Sequence, residues 1–421
     1  MRVVDAGPST SQLRVLVLSR NYPNPGLPLL GLWAQRLVHS ATGFCQTKVV
    51  APVPYVPPLV ARFAPYFSRY KDVPRQRWDG DIEVFHPRLA IGPGQSLYAF
   101  EALSYAQAVL PTIQRMRRDF PFDVIHAHFT YPDGVAAVLL GRLYGIPVII
   151  TEHTLWLPWM RHKRLVRHQA AWAARNCSAH IAVSEAVRDH IGQITGDPDK
   201  VKVIPNVVDG AVFTRAQNQQ RTPGQILFVG IVRASKGLDL LLHALHELRR
   251  ARPEVRLKVV GEPFYRAYRQ EADRLAQLTD QLGLADCVEL VGGKSPADTA
   301  QLMAQSEVVV LPSRRESFGA VLIEALACGT PVVATRCGGP EDIVTPAVGR
   351  LVPPEDPHAL ASALAEVLDN QQAYASDALR RYALAHFGAP VVAQQLGNEY
   401  ATLVGPAVRL NLHARLAAVS S

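Results

Sequence analysis

Residues 311–335 read LPSRRESFGAVLIEALACGTPVVAT. An apolar strand ends near Leu311, and a loop holding Ser313, Glu316 and Ser317 follows. Phe318-Gly319 opens a helix that runs to about Ala327, and Gly329-Thr330-Pro331 stops it ahead of a second apolar strand. Strand, helix and strand in this order form the repeating unit of a parallel sheet. The helix start leaves backbone N–H groups at Gly319, Ala320 and Val321 without intrahelical partners, a ready place for an anion. Gly319 lets a phosphate come close to that backbone. Glu316 and Glu324 stand eight residues apart. If most of that gap is helical, at about 1.5 Å per residue, the two are on the order of 12 Å apart. A glycosidase pair needs about 5–9.5 Å, so this pair does not read as one. The span is instead that from a sugar ring to a ribose across a diphosphate. Glu324 suits ribose hydroxyls and Glu316 a hexose hydroxyl.

The same pattern extends on both sides. Residues 225–229 (QILFV), 256–260, 288–291, 308–311, 331–334 and 349–352 are strand-length apolar runs, with helical faces between them. Residues 238–249 show Leu238, Leu241, Leu242 and Leu245 at helix spacing. Gly230 ends the first of these strands, and Arg233, Lys236 and Gly237 follow before the helix. A cation there can neutralise a diphosphate and stabilise it as a leaving group. In the first half, residues 13–18 (LRVLVL), 47–50, 123–126, 148–151, 180–183 and 201–204 repeat the alternation. Continuous apolar strands alternating with helices predict two doubly wound α/β domains. The expected domains are 1–210 and 211–390, with a polar linker at 217–224 and a C-terminal helical segment, about 391–421, packing back on the first.

Residues 52–80, rich in Pro, Tyr, Phe and Arg, read as a long irregular excursion. Tyr66, Phe67, Tyr70 and Trp78, beside Arg62, Arg69, Arg75 and Arg77, could touch an acceptor or a membrane, or pack as surface. Several generic motifs fail. Gly292-Gly293-Lys294-Ser295 lacks the earlier glycine of a P-loop, and Gly92-Pro93-Gly94 lacks the third glycine of a dinucleotide fingerprint. Asp79-Gly80-Asp81 and Asp197-Pro198-Asp199 read as surface turns rather than metal sites. His126 and His128 share a strand face but have no evident carboxylate or cysteine partner, so no metal is expected.

The chain has 421 residues, 48% hydrophobic and 19% charged, which excludes a disordered chain. No apolar run reaches the roughly 18 residues of a membrane span. The apolar run at 13–18 is too short for a secretory signal. Five cysteines without a CxxC pair fit a reducing cytoplasm. The net charge of +8 lies wholly in residues 1–210, with 23 Lys+Arg against 15 Asp+Glu. Residues 211–421 carry 21 of each. No nucleic-acid motif accompanies the basic half. Residues 161–175 (RHKRLVRHQAAWAAR) interleave basic and apolar residues, the pattern of an interfacial helix or of an ordinary exposed one.

On these residues the chain resembles the retaining glycosyltransferases of family four, with the two-domain GT-B fold. Glu316 and Glu324 match the family's Glu-x7-Glu, and Lys236-Gly237 matches its Lys-Gly after the first strand of the second domain. Residues 337–344 (CGGPEDIV) and 349–352 (GRLV) match its later segments. More loosely, residues 125–128 (IHAH), 151–153 (TEH), 203–206 (VIPN) and Asp209 match its first half. The resemblance implies two αβα domains facing a cleft and a metal-independent, retaining hexose transfer from a nucleotide-diphosphate sugar, with no other cofactor. Glu324 would bind the donor ribose and Glu316 the sugar. Lys236 and the backbone near Gly319 would hold the diphosphate. His128 would touch the sugar, and Gly31 would lie in the loop closing over donor and acceptor. Two departures stand out. Ile231 follows Gly230 where the family usually has Arg, with Arg233 a candidate replacement, and Asn206-Val207-Val208-Asp209 lacks the family's usual glycine.

The acceptor expected on the basic half is a glycan or lipid-linked saccharide of cell-surface polysaccharide or glycolipid synthesis, with contact to the inner face of the cytoplasmic membrane. The rival readings are a degenerate sugar-nucleotide binder, motivated by Ile231, and another activity on this architecture, such as an epimerase or phosphorylase.

Overall fold

The computed structural model describes residues 12–57, 65–90, 98–155, 163–216, 219–262 and 269–420. Arg62, Gly92-Pro93-Gly94, Arg161, His162 and the start of the linker at 217–218 lie outside them. The chain forms two compact units. One holds residues up to 183, 187–207 and 390 onward; the other holds 184–186 and 208–389.

The first unit is built on an eight-stranded sheet. Its strands are β1 (Leu13–Leu18), β2 (Cys45–Val50), β3 (Gln76–Asp79), β4 (Ile82–Phe85), β5 (Val124–His128), β6 (Val148–Glu152), β7 (Ala179–Ala182) and β8 (Val201–Val203). Their order is β8-β7-β6-β5-β1-β2-β4-β3. All neighbours are parallel except β3 and β4. Each residue of β5 and β6 is buried, as a strand covered on both faces requires. The C-terminal helices Ala389–Leu403 and Pro406–Ser420 belong to this unit. Tyr400, on the first of them, is buried, and its hydroxyl lies 2.7 Å from His126 Nδ1 of β5. The C-terminal segment therefore crosses back to the first sheet.

The second unit holds β9 (Gln225–Val229), β10 (Arg256–Val260), β11 (Val288–Gly292), β12 (Val308–Leu311), β13 (Val332–Thr335) and β14 (Gly349–Val352). They form one parallel sheet in the order β11-β10-β9-β12-β13-β14. Chain order reverses between β9 and β12, and the crevice outside their carboxyl ends is where such sheets take ligands. Helix Leu238–Arg249 follows β9 and buries Leu238, Leu241, Leu242 and Leu245. Helix Ala320–Ala327 follows β12 and buries Leu322, Ile323 and Leu326. Each such side chain contributes about 1.5–3 kcal/mol by leaving water.

Two sequence expectations change. Residues 52–80 are not wholly irregular. Residues 76–79 pair with 82–85 as an antiparallel hairpin around Gly80-Asp81, and Val53–Pro54 pairs with Arg88–Leu89. Gly80 supplies the positive φ of 58° that such a two-residue turn needs. Trp78 is 65% exposed, whereas Tyr70 packs with Leu27, Val53 and Val73. Asp79 is also not a surface turn residue. Its carboxylate accepts bonds from Tyr22 Oη at 2.8 Å and from Gln35 Nε2 at 2.9 Å, with His39 Nε2 at 3.2 Å. Burial opposes its ionisation, but these bonds outweigh that and hold its pKa well below the carboxylate range.

The helix in the basic segment spans Arg164–Asn176 and turns Val166, Ala170, Ala171, Ala173 and Ala174 into the core. An interfacial helix must present its apolar face outward, and this one has already spent it. What it exposes is Arg164, Arg167, His168 and Arg175, with Leu165 among them.

Candidate functional site

In the second unit, the loops after β9 and β12 bring together residues far apart in sequence. Lys236 Nζ lies 2.5 Å from Glu316 Oε2, and both side chains are only 15% exposed. Ser313 Oγ donates to the same Oε2 at 3.2 Å. Both contacts end on Oε2; among the described residues Oε1 has no partner. The backbone of Glu316 is pinned as well. Its N–H donates to Cys337 O at 3.1 Å, and its carbonyl accepts from Gly339 N at 3.0 Å. A Cβ on Gly339 would stand 2.2 Å from Phe318 Cα, so the 337–340 segment packs against this loop only because glycine is there.

Arg314 joins the two loops. Its N–H donates to Ser235 O at 2.9 Å, and its Nη1 to Ala234 O at 2.6 Å. Its guanidinium then grips both Asp239 oxygens, at 2.8 and 2.9 Å. Arg314 therefore holds the turn Ala234–Lys236 that carries Lys236. Gly237 ends that turn at φ 67°, where a Cβ would stand 2.0 Å from Pro312 O. Only glycine fits such a position.

Helix Ala320–Ala327 begins after Gly319, which has φ 96°. The N–H groups of Ala320 and Val321 stand in the first turn of the helix, where backbone donors lack intrahelical partners. Four of the seven residues between Glu316 and Glu324, Ala320–Ile323, are helical. Gly319 in the left-handed region prevents the helix from extending back to Glu316, so only Ala320–Glu324 follows the helical rise. Glu324 lies part-buried between buried Ile323 and Ala325.

Gly230 donates to Val260 O at 2.9 Å and keeps the carboxyl end of β9 in the sheet. Ile231 beside it is 39% exposed. Arg233 precedes the Lys236 turn, and its buried Nε has no partner among the described residues.

In the first unit, Gly31 starts helix Leu32–Ser40 at φ 81°. A Cβ there would stand 1.8 Å from Asn21 O, so the loop after β1 closes on itself. That helix start carries Trp33, whose ring lies 4.1 Å from His153 and 6.2 Å from His128. His128, at the end of β5, is fully buried. His128 Nδ1 is 2.9 Å from His153 Nε2, and His153 Nδ1 is 3.2 Å from Asn206 Oδ1. Burial lowers both pKa values, that of His153 to about 3, so both rings are neutral near pH 7. With the amide oxygen of Asn206 toward His153, the proton order follows. His153 Nδ1–H donates to Asn206, its Nε2 accepts from His128 Nδ1–H, and His128 Nε2 keeps a lone pair. That Nε2 is buried without a partner among the described residues. It can accept a hydrogen bond from a hydroxyl. Phe129, next in the chain, has φ 76°, a conformation costly for a non-glycine residue.

The sequence reading missed Arg314, Asp239 and Trp33, and it named Ser313 and Asn206 without giving either a contact. It quoted His153 only within Thr151-Glu152-His153, which gave no hint that Nδ1 sets the tautomer of His128. The Asn206–Asp209 turn needs no glycine: Val207 and Val208 have negative φ and are buried. Among the described residues, no group of three His, Cys, Asp or Glu is arranged to hold a metal ion. No helix among them is long and apolar enough to cross a membrane.

Comparison with known proteins bears on the family and the fold. A family model described as glycosyl transferases group 1 matches residues 212–384, and one described as glycosyltransferase family 4 matches residues 50–211. A D-inositol 3-phosphate glycosyltransferase of Pseudarthrobacter chlorophenolicus is 31% identical over 272 residues, 59% of this chain and 63% of that protein. One of the same name from an Arthrobacter species is 30% identical over 315 residues, 68% of this chain and 73% of that protein. The chain thus spans a little under two thirds of the first of these relatives. Among solved structures, Anabaena HepE in complex with UDP has a TM-score of 0.69 at 20% identity, over 93% of this chain and 100% of that one, a likeness of fold. The same protein has also been solved with UDP-glucose.

Proposed function

Since the chain belongs to the group 1 glycosyl transferases of glycosyltransferase family 4, we propose that it transfers a hexose from a nucleotide-diphosphate sugar, with retention, to a phosphate-bearing acceptor such as a lipid-linked saccharide or glycan. The observation that carries this is the Lys236–Glu316 pair beside the Gly319 helix start, at the point where the order of the second sheet reverses. Lys236 and the Ala320 and Val321 N–H groups are assigned to the diphosphate. Glu316 Oε1 is assigned to a sugar hydroxyl, and Glu324 to the ribose. In the first unit, His128 Nε2 is the acceptor for a sugar hydroxyl. Arg233 takes the part of the arginine displaced by Ile231. The C1–O bond to the diphosphate breaks with its charge on Lys236 and the helix N–H groups. The acceptor hydroxyl adds to C1 on the same face, and its proton passes to the departing phosphate oxygen. UDP in the HepE structures supports a uridine donor.

The basic balance of the first half supports an acceptor with phosphate, and the name of the relatives specifies a phosphorylated inositol. That polyol is a second acceptor class beside the lipid-linked saccharides of cell-surface glycan synthesis. The purified chain is to be incubated with a panel of UDP and GDP sugars, with and without each acceptor. Nucleoside diphosphate released only with acceptor, and a product with the donor's anomeric configuration by NMR, is the expected result. A donor that binds and never turns over would leave a degenerate binder. An inverted product would remove the same-face route.

A further inference from the structure

A cavity of about 540 Å³ in the first unit, apart from the residues above, lies between the end of β4 and helix Glu101–Asp119. Arg75, Arg88 and Arg115 line it, and none of its lining residues is Asp or Glu. Arg88 donates through Nη2 to Val73 O, while its buried Nη1 has no partner among the described residues. Burial first, and then the charge of Arg75, lower the pKa of Arg88. His86 on the same wall is buried, donates from Nδ1 to Ala51 O and has its pKa lowered by burial to about 4, so it adds no charge near pH 7. Thr112 and Gln76 add polar groups, and Phe85 and Met116 an apolar floor.

Clustered arginines with a buried, unpartnered N–H are costly unless an anion joins them. Their planar forks match phosphate oxygens in pairs. In the sheet, β4 is three neighbours from β5, which carries His128. At about 4.8 Å per strand, that is roughly 14 Å. We propose that this cavity is a second anion site, which takes a phosphate or diphosphate group on Arg75, Arg88 and Arg115. It is separate from the residues assigned to the transfer reaction. The phosphate can belong to a soluble ester or to a lipid headgroup.

Inorganic pyrophosphate titrated calorimetrically at low salt into the full chain tests this. The Lys236→Ala background is used to weaken binding at the proposed donor site. Saturable binding is expected, and it should weaken at least roughly tenfold when the exposed Arg75 and Arg115 are both changed to Ala, since each charge-assisted bond is worth that much or more. Arg88→Gln should weaken it comparably. Circular dichroism and the melting temperature would check that each variant folds. Vesicles of phosphatidic acid in phosphatidylcholine separate the sources. Binding that pyrophosphate displaces points to a lipid phosphate, and pyrophosphate binding without vesicle binding points to a soluble one. No saturable binding in the Lys236→Ala chain, or binding unchanged after Arg75 and Arg115 are both removed, would overturn the proposal.

Discussion

Lys236 and Glu316, 80 residues apart in the chain, meet at 2.5 Å because β9 and β12 are neighbours in the sheet. The pair is mostly shielded from water, and Glu316 keeps Oε1 without a partner among the described residues. The ammonium and the carboxylate thus orient one another before any ligand arrives, as the proposed contacts with a phosphate and a hydroxyl require. Such preorganisation is the main resource for stabilising charge that develops during bond cleavage.

Removing the cation should show this. Lys236→Ala is expected to lower kcat/KM by about 10²–10³-fold, the usual cost of losing one such charge. Lys236→Arg should rescue only in part, because a planar fork does not replace a point charge. Glu316→Gln should also reduce turnover, and the double variant should lose less than the product of the two single losses, as groups acting together do. Full additivity in steady-state rates would mean that the two act independently.

Arg314 acts through Lys236. Its contacts with Asp239, Ala234 and Ser235 hold the Lys236 turn from the β12 loop. The pair with Asp239 is partly exposed, so Arg314→Ala should cost only about 1 kcal/mol of stability. The loss in kcat should be larger than that suggests, roughly tenfold, since small misplacement of a charged group is expensive. Arg314→Lys cannot grip both Asp239 oxygens and should restore stability better than turnover. A variant with wild-type kcat would show that the turn holds without the clamp.

Gly237→Ala places a Cβ 2.0 Å from Pro312 O at a φ of 67°. A strained backbone of this kind costs roughly 1–3 kcal/mol, and relief requires the β9 and β12 loops to part. Calorimetry should show the second unit melting several degrees lower, about 2–4 °C per kcal/mol for a unit of roughly 150–250 residues. Donor affinity should fall with it. An unchanged melting temperature would mean that the loops have slack.

How much of this could be read from the chain follows from the range of each interaction. Helix Leu238–Arg249 is legible because Leu238, Leu241, Leu242 and Leu245 repeat at helical period, and the strands of the second sheet are legible as apolar runs. Gly319 is legible as the start of a helix. The Glu316–Glu324 gap is legible as mostly helical, but spacing alone does not reveal that Gly319 turns the backbone left-handed just ahead of the helix. Arg314 looks like one of two adjacent loop arginines until the sheet brings Asp239 to it. The hairpin within 52–80 hides because Gln76-Arg77-Trp78-Asp79 lies at the edge of the sheet and has no apolar run. His128 draws meaning from Trp33, His153 and Asn206, which only the packed first unit assembles.

The buried histidines make stability depend on pH. Burial lowers the pKa of His126 and His153 to about 3, lowers those of His86 and His180 to about 4, and depresses His128 as well. In the unfolded chain each titrates near 6.5. Between those limits the unfolded state binds more protons, so stability rises with pH and is lost as pH falls below about 6.5. Asp133 opposes this: burial raises its pKa to about 7 against the pull of Arg20, so between roughly pH 4 and 7 it favours the folded state at the acid end. Burial raises the pKa of Glu101 too, against the pull of Arg20, but five histidines outnumber these two carboxylates, and the net slope should be acid-destabilising. Urea unfolding from about pH 7.5 down to pH 5 should show a falling midpoint, with each histidine adding up to about 1.4 kcal/mol per pH unit. His180→Gln removes one titrating ring that Thr130 contacts at 3.3 Å. Its unfolding free energy should therefore depend on pH more weakly, whatever its absolute stability. A midpoint that stays flat down to about pH 5, or a His180→Gln slope equal to that of the wild type, would mean that these rings take up protons without unfolding and that the His128 site stays open to solvent.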